Sequence, residues 1–333
     1  MAVERLLFLG IDVGGTNIKA GVVDQFGRTI AHTAVPTEAD RGPETGLRNI
    51  YRAAEQALEK SDVKLDDIQV IGLATPGTMD LKAGMLLDPP NLPGWCNFPI
   101  RQRVHDYFGK QTILQNDANA AAYGEFWVGA GREAHSLVFW TLGTGIGCGI
   151  IIGDLIIEGE HSHGGECGHI IIQMDGGRPY DTGQTGTLEA YAGGKSIVRR
   201  VEEALASGRT SSLKNLVEEG TPLSPLLIAQ ACEQGDALAE EIIMDAARCL
   251  GAGTTTLMHT IDPDMVLLGG SMTFGRDETD LGRRFLQRIR DEVQKRAFPI
   301  PYAHTKIDYA TLGGDAGYIG AAGCAKLKYD SLL

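Results

Sequence analysis

The chain has 333 residues, 43% of them hydrophobic and 22% charged, which is typical of a soluble globular protein with room for two domains. Its net charge of −13 argues against nucleic acid as a partner, and no apolar run reaches the roughly 18 residues of a membrane span. The six cysteines lack the spacing of a disulfide framework, and no signal-peptide pattern precedes the first strand. We therefore expect a cytoplasmic protein with reduced thiols.

The stretch 6–19 predicts two strands joined by a tight glycine hairpin. Apolar runs at 6–11 and 18–23 indicate the strands. Adjacent glycines let backbone N–H groups approach an anion without a Cβ in the way. Asp12 supplies a carboxylate suited to a magnesium ion and its waters. The donors in or beside the turn are Gly14, Gly15, Thr16, Asn17 and Lys19. By itself, the segment is better explained as a structural hairpin with an Asp in the turn.

The elements that follow alternate between strand and helix, which indicates the α/β class. They are strands at 29–35, 69–74 and 111–115 and helices at 42–60 and 100–108, with a long loop at 80–99. The last strand ends at Asn116 and Asp117, at the carboxyl end where α/β sites gather. The same two residues are also a good N-cap for a helix at 118–128.

The order of strand, glycine turn, strand and short third strand occurs again from Ser136 onward. The second turn is Gly143-Thr144-Gly145, between predicted strands 136–142 and 146–152, and 155–158 is the third strand. This internal repeat predicts two domains whose hairpins face a shared cleft. The remaining elements are helices at 188–205, 238–261, 281–296 and 316–328, strands at 264–268 and 306–310, and an exposed excursion at 207–224.

Two familiar nucleotide-binding motifs are absent. Residues 143–149 are glycine-rich, but no placement gives G-x-G-x-x-G, and the segment joins two strands rather than a strand and a helix. Gly194-Lys195-Ser196 resembles the end of a P-loop, but the first glycine of that motif is replaced by Glu189. Neither a Rossmann oxidoreductase nor a P-loop NTPase is supported.

The three glycine segments, ending with Gly269-Gly270-Ser271, resemble the sugar kinase–actin–heat-shock ATPase superfamily, and within it the ROK family of sugar kinases and repressors. The resemblance implies two ribonuclease-H-like α/β domains around a central cleft: 1–115 completed by a C-terminal helix at about 314–333, and 116–313. It implies ATP as phosphoryl donor, with Mg²⁺ held by Asp12 through water. The implied ATP and phosphate residues are Asp12, Gly14, Gly15, Thr16, Asn17, Lys19, Gly143, Thr144, Gly145, Gly269 and Gly270.

The same resemblance implies a sugar site. Asp117 would accept a proton from the substrate hydroxyl and position that hydroxyl for attack on the γ-phosphate. Carboxylates, amides and an imidazole suit sugar hydroxyls, which need directional partners. The implied sugar-binding residues are Asn91, Asn116, Asp117, Glu166, His169 and Glu189. Simpler explanations stay open for two of them, because Glu189 could be a solvated helix residue and Asn91 a turn former.

One segment departs from the family pattern C-x-C-G-x-x-G-C-x-E, whose three cysteines join a histidine on a structural zinc. Here Tyr180, Thr182 and Thr187 replace every cysteine, while the glycines and the glutamate are retained. Because thiolates are the soft ligands of such a site, we predict no zinc. The alternative metal set His161, His163, Cys167 and His169 has workable spacing, but a sugar role is favoured for this stretch.

The resemblance implies a glucokinase-like enzyme of carbohydrate metabolism and glycolysis that phosphorylates glucose at the 6-hydroxyl. N-acetylmannosamine, N-acetylglucosamine, fructose and allose are the alternative hexoses, and a homodimer is common among such kinases. Two non-catalytic alternatives are a sugar-sensing ROK regulator and a plain sugar-binding protein. A regulator of this family has an N-terminal winged helix-turn-helix, whereas the first strand here begins within ten residues of the start. Asp117 and both hairpins argue against a plain binding protein.

Overall fold

A computed structural model describes residues 5–333 and divides the chain into two units. The first unit comprises the chain up to Leu137, Gly149–Gly165 and Ala310–Leu333, and the second comprises Val138–Cys148 and Glu166–Tyr309. The predicted domain limits stay a prediction.

The described residues contain twelve strands. They are β1 (Leu7–Val13), β2 (Asn17–Asp24), β3 (Thr29–Pro36), β4 (Ile68–Thr75), β5 (Met79–Asp80), β6 (Met85–Leu86), β7 (Thr112–Asn116), β8 (Ser136–Leu142), β9 (Ile146–Ile152), β10 (Leu155–Ile156), β11 (Met265–Gly270) and β12 (Lys306–Tyr309).

Eleven α-helices accompany the strands in residues 5–333. They are α1 (Pro43–Ser61), α2 (Ile100–Phe108), α3 (Asp117–Trp127), α4 (Leu188–Ala192), α5 (Gly194–Ala206), α6 (Leu213–Glu218), α7 (Pro225–Glu233), α8 (Ala237–Ile261), α9 (Asp280–Arg296), α10 (Pro299–His304) and α11 (Ala316–Asp330).

Ten of these strands form two five-stranded sheets with the same strand order, and β5 and β6 form a separate antiparallel pair. The first sheet has the order β3-β2-β1-β4-β7, in which β1, β2 and β3 pair antiparallel and β1, β4 and β7 pair parallel. The second has the order β10-β9-β8-β11-β12, with β9 and β10 antiparallel and β11 and β12 parallel. The predicted α/β class and internal repeat are therefore confirmed.

Helix α11 packs on the first sheet through glycines. A methyl group on Gly72 of β4 would lie 1.8 Å from the Ala321 carbonyl oxygen, and one on Gly10 of β1 would lie 1.9 Å from the Tyr318 carbonyl oxygen. A methyl group on Gly320 would likewise lie 1.6 Å from the Ala120 carbonyl oxygen of α3. The helix backbone thus rests directly on the sheet and on α3, because no side chain intervenes.

The elements beyond residue 187 differ most from the prediction. The single helix predicted at 188–205 is two helices, α4 and α5, because Gly193 between them has an extended backbone with ψ 154°. The predicted excursion at 207–224 contains the short helix α6. Helices α7 and α10 were missed, although each has a proline in its first turn, which is a helix-start signal. None of the helices in residues 5–333 combines the length and the apolar character needed to cross a membrane.

The glycine contacts predict a large stability loss for Gly72→Ala. The added methyl group would overlap the Ala321 carbonyl, and the backbone of α11 would have to shift. We expect the free energy of unfolding to fall by about 3 kcal/mol or more in urea titrations. Gly143→Ala is the matched control, because its methyl group would lie 3.7 Å from its nearest neighbour, the Ser271 hydroxyl oxygen. Equal stability of the two variants would contradict this packing argument.

Candidate active site

The hairpin between β1 and β2 is fixed from within and exposed at its tip. The Gly14 N–H donates to the Asn17 carbonyl oxygen at 2.9 Å, and the Thr37 hydroxyl donates to the Gly14 carbonyl oxygen at 2.6 Å. Gly15, Thr16 and Asn17 are exposed. A firm base with an exposed, glycine-containing tip is suited to an incoming anion.

Asn91 lies beside this hairpin. A methyl group on Gly15 would come within 3.1 Å of the Asn91 carbonyl oxygen, so only glycine allows this approach comfortably. Asn91 is exposed and lies in a turn, which is compatible both with turn formation and with a sugar contact. The structure therefore brings two sequence-predicted residues together within the first unit.

Asp12, at the end of β1, is held against the first turn of α11. A methyl group on Gly317 would lie 2.2 Å from the Asp12 carboxylate. Burial raises the pKa of Asp12 to about 6, against the lowering effect of the Lys19 charge. A carboxylate that is poorly solvated in this way gains from a nearby cation, and its oxygens are the donors that Mg²⁺ prefers. Asp12 therefore fits a magnesium site.

Lys19 points to the C-terminal segment of the same unit. Its ammonium donates to the Gly314 carbonyl oxygen and lies 3.6 Å from the Asp315 carboxylate. The sequence suggested Lys19 as a phosphate donor, and that role stays a prediction. In the structure, its contacts join β2 to the start of α11.

Asn116 and Asp117 lie at the same sheet edge as Asp12. In the parallel register, Asp12 is paired with Ala74 and Asn116 with Thr75, so the carboxyl ends of β1, β4 and β7 are level. Two inter-strand spacings separate the outer strands of this trio, or about 10 Å. The structure thus gathers the predicted metal residue and the predicted base at one edge.

The helix cap expected at this position is present as well. The Asn116 side chain accepts hydrogen bonds from the Ala118 and Asn119 N–H groups at 2.9 and 3.2 Å. One Asp117 carboxylate oxygen accepts from the Ala118 N–H at 2.8 Å. A carboxylate has about four acceptor positions, so a bond to the helix backbone and a bond to a substrate hydroxyl do not exclude each other. The capping and catalytic interpretations are therefore compatible.

A buried amide network that the sequence did not reveal supports these two residues. The Gln115 side-chain oxygen accepts from the Asn116 N–H at 2.8 Å and from the Asn119 side-chain amide at 3.2 Å. Its amide nitrogen donates to the Glu158 carboxylate at 2.7 Å. Asn116 is thereby fixed from beneath. The sequence alone gives no sign of this network, because Glu158 is 43 residues away from Gln115.

In the second unit, the Gly143-Thr144 turn opens into a cavity of about 830 Å³. The Gly194 and Lys195 N–H groups at the start of α5 donate to the Gly143 and Thr144 carbonyl oxygens at 3.0 and 3.1 Å. Helices α5 and α7 and residues 271–279 complete the wall. The volume suits a nucleotide-sized ligand, and such pockets are the usual binding sites of enzymes.

The adenosine segment predicted at Gly269-Gly270 directs the chain into this cavity. Gly270 has φ 90°, and a methyl group there would lie 2.2 Å from the Leu142 carbonyl oxygen. Ser271, Met272 and Phe274 then line the cavity. Lys195 also lines the cavity, although the sequence marks it only as part of an incomplete P-loop motif.

The predicted sugar residues of the second unit form two contacts. Glu189 is only 8% exposed, so the alternative of a solvated helix residue is wrong. Its carboxylate accepts from the Ile146 N–H, and a methyl group on Gly145 would lie 2.3 Å from the same oxygen. The other contact joins His169 and Glu166, whose side-chain nitrogen and oxygen are 4.0 Å apart. The second ring nitrogen of His169, Nδ1, is buried without a hydrogen-bond partner within the described chain.

A structural zinc of the family type would need thiolates at positions 180, 182 and 187, where this chain has Tyr and Thr. Among residues 5–333, no group of three or more His, Cys, Asp or Glu side chains is placed to hold a metal ion. The alternative set of three histidines and Cys167 is therefore not gathered either. Burial raises the pKa of the Cys148 thiol, and its hydrogen bond with Cys167 raises it further.

The fold and these residues define a class of protein: an α/β protein of the actin and sugar-kinase type, with a glycine hairpin after the first strand of each sheet. The chain belongs to the ROK family, whose sequence profile matches residues 8–328. It is 30% identical to a glucokinase of Halalkalibacterium halodurans over 98% of this chain and 96% of that protein.

Solved structures agree with this assignment. A ROK hexokinase from Thermus thermophilus superposes with a TM-score of 0.81 at 33% identity, covering 98% of this chain and 99% of that one. A ROK family glucokinase from Streptomyces griseus, in complex with glucose and AMPPNP, superposes with a TM-score of 0.78 at 32% identity, covering 96% and 99%.

The raised pKa of Asp12 predicts a pH-dependent gain in stability for Asp12→Asn. The folded state binds this proton more tightly than the unfolded state, whose pKa is near 3.8. The contribution of the Asp12 carboxyl to the stability of the wild type is therefore fully present below about pH 4, and it is lost as the pH rises to about 6. At pH 7.5 the variant should be more stable by up to about 3 kcal/mol, and the difference should vanish near pH 4.

Urea titrations of both proteins between pH 4 and 8 measure this difference. Asp66→Asn, at an exposed position, controls for the change in net charge. A stability difference between Asp12→Asn and wild type that does not change with pH would contradict the burial argument. Millimolar Mg²⁺ should narrow the difference at pH 7.5, because a bound cation favours the charged carboxylate.

The Glu189 contact predicts a selective effect of Gly145→Ala. The new methyl group would displace the carboxylate. If that carboxylate binds the sugar, the KM for hexose should rise about ten- to a hundredfold. Gly143→Ala, in the same turn but without this contact, is the matched control in steady-state assays. Equal hexose KM values for the two variants would argue that Glu189 does not bind sugar.

Proposed function

We propose that this protein transfers the γ-phosphate of ATP to the 6-hydroxyl of a hexose, with glucose as the expected substrate. The observation that carries the proposal is the shared sheet edge of the first unit, where Asp12, the exposed hairpin tip and Asp117 lie together. The chain aligns over nearly its whole length with a glucokinase and with a ROK glucokinase structure that contains glucose, which supports the same activity.

Asp117 acts on the sugar in this proposal. The 6-hydroxyl oxygen forms a bond to the γ-phosphorus as the bond to the β-phosphate oxygen breaks, and ADP leaves. The hydroxyl proton passes to the Asp117 carboxylate. Because the transition state of phosphoryl transfer is loose, the larger contribution of Asp117 is to hold the hydroxyl in line with the γ-phosphorus and the leaving oxygen.

The other residues bind and orient the substrates. Asn91 and Asn116 in the first unit and Glu166, His169 and Glu189 in the second are the proposed hydroxyl partners. The cavity beside Gly143 and Thr144 is the proposed site of the nucleoside, and the two glycine turns bind its phosphates. Asp12 would hold Mg²⁺ through water, and the ion supplies neutralisation of the phosphate charge.

N-acetylmannosamine, N-acetylglucosamine, fructose and allose remain alternative substrates, since related kinases share most of the proposed residues. A cytoplasmic location is supported by the six cysteines, all of which are free thiols. A homodimer and a non-catalytic sugar-sensing role are further alternatives, which sedimentation and the assay below address.

A coupled ADP-release assay over a panel of hexoses tests the function. We expect turnover with glucose that depends on Mg²⁺, and little with the other sugars. A protein that binds sugar without releasing ADP would instead be a sensor.

Asp117→Asn tests the proposed base. The amide oxygen can still accept from the Ala118 N–H, so the start of α3 should stay intact. We expect kcat to fall about 10²- to 10⁴-fold with little change in melting temperature. Asp62→Asn, an exposed carboxylate of the same unit, controls for the lost charge. An Asp117→Asn variant that keeps most of its turnover would remove Asp117 from the mechanism.

A further inference from the structure

Lys195 lines the cavity of about 830 Å³ in the second unit, and none of the proposed sugar or phosphate contacts involves its side chain. It is exposed and lies in the first turn of α5. The sequence marks it only within Gly194-Lys195-Ser196, the incomplete P-loop motif. A lysine ammonium in the wall of a nucleotide-sized cavity has the chemistry to bind a phosphate group.

The backbone fixes Lys195 next to the glycine turn. Its N–H donates to the Thr144 carbonyl oxygen at 3.1 Å, and the Gly194 N–H donates to the Gly143 carbonyl oxygen at 3.0 Å. The two segments are so close that a methyl group on Gly194 would lie 2.5 Å from that Gly143 oxygen. The Lys195 side chain therefore starts at the turn, and α5 cannot move away from the turn without losing both bonds.

The charges of the cavity wall make Lys195 the cation that is available to a ligand. The wall contains two cations, Lys195 and Arg199, and two carboxylates, Glu202 and Glu233. Among the ion pairs of residues 5–333, Arg199 is paired with Asp181 at 2.7 Å, and Lys195 is in none. Without Lys195, an anion entering the cavity would meet net negative charge, in a protein whose own net charge is −13.

The charges are also ordered along α5. Lys195 is beside the glycine turn, whereas Glu202 lies about 10 Å further along the same helix, at 1.5 Å per residue. The end of the cavity at the turn is therefore positive, and the end at Glu202 is negative. Because the phosphates of a nucleotide are charged and its nucleoside is neutral, this polarity favours a nucleotide whose phosphates lie toward the turn.

We propose that Lys195 binds the phosphate chain of the nucleotide and thereby makes the affinity of the cavity depend on phosphate charge. This inference rests on the proposed function, because the cavity is its nucleoside site. The backbone N–H groups of the glycine turn carry only partial charges. Lys195 adds a full positive charge and the charge-assisted hydrogen bonds that an ammonium forms with phosphate oxygens.

Lys195→Met tests the proposal by calorimetry, with adenosine and ADP in the presence of Mg²⁺ as the ligands. The substitution retains the backbone bond to Thr144, so the start of α5 should stay intact and the melting temperature unchanged. We expect the Kd for ADP to rise at least about tenfold and the Kd for adenosine to stay within about twofold of wild type.

Two further readouts identify charge as the cause. Lys195→Arg keeps the positive charge and should retain most of the affinity for ADP. Added KCl should weaken ADP binding to the wild type more than to Lys195→Met, because salt screens the charge that the variant lacks. A merely structural role of the side chain would produce neither result.

Lys214→Met is the matched control for the loss of charge. Lys214 is an exposed lysine of the same unit and does not line the cavity, so this variant should keep the Kd for ADP within about twofold of wild type. Ala229→Trp tests the location of the ligand. Ala229 lines the cavity from α7, and the larger side chain should raise the Kd values for adenosine and ADP alike.

An unchanged Kd for ADP in Lys195→Met, or an equal rise for ADP and adenosine, would overturn the proposal. Ala229→Trp with both Kd values unchanged would place the nucleotide elsewhere and would also overturn it. Wild type that binds ADP but phosphorylates no hexose would refute the kinase and leave the Kd comparison as the test of Lys195. Wild type that binds neither adenosine nor ADP would overturn both proposals.

Discussion

The first unit depends on the direct contact between the backbone of α11 and the first sheet. Glycines on β1 and β4 remove the side chains that would otherwise separate them, and Gly320 does the same toward α3. The chain entering α11 is held by the buried carboxylate of Glu125, which accepts from the N–H groups of Thr311 and Leu312 at 3.2 and 2.6 Å. A buried carboxylate is stable only with such donors, so this anchor is specific.

This contact determines the electrostatics of the proposed metal site. The first turn of α11 covers Asp12 closely enough that only glycine fits at position 317. The same segment binds the Lys19 ammonium through the Gly314 carbonyl and the Asp315 carboxylate. Lys19 therefore lies near Asp12 but offsets only part of the effect of burial on its pKa. Asp12 is therefore left partly uncompensated. Local instability of this kind is common where a protein is arranged for a ligand rather than for its own stability.

Much of this architecture could be predicted because it is encoded locally. Helix α1 buries Leu47, Ile50, Ala54 and Leu58, the residues whose spacing predicted it, and the glycine turns mark both hairpins. What could not be predicted depends on contacts between distant segments. The partner of Lys19 is 295 residues away. The break at Gly193 follows from an extended backbone that glycine permits but does not require. The cavity wall formed by α7 has no signal that links it to Gly143.

In the second unit, one carboxylate connects the phosphate turn with the sugar segment. The carboxylate of Glu189 accepts from the Ile146 N–H, directly after Gly145. Its own carbonyl oxygen accepts from the Ser196 hydroxyl at 2.6 Å, and Ser196 follows the two residues whose N–H groups hold the Gly143-Thr144 turn. A shift of Glu189 would therefore strain the start of α5 and the turn together. The Ile146 N–H and the Ser196 hydroxyl thus hold the carboxylate and the backbone of Glu189 directly, which keeps the glutamate in place in a chain that lacks the cysteines.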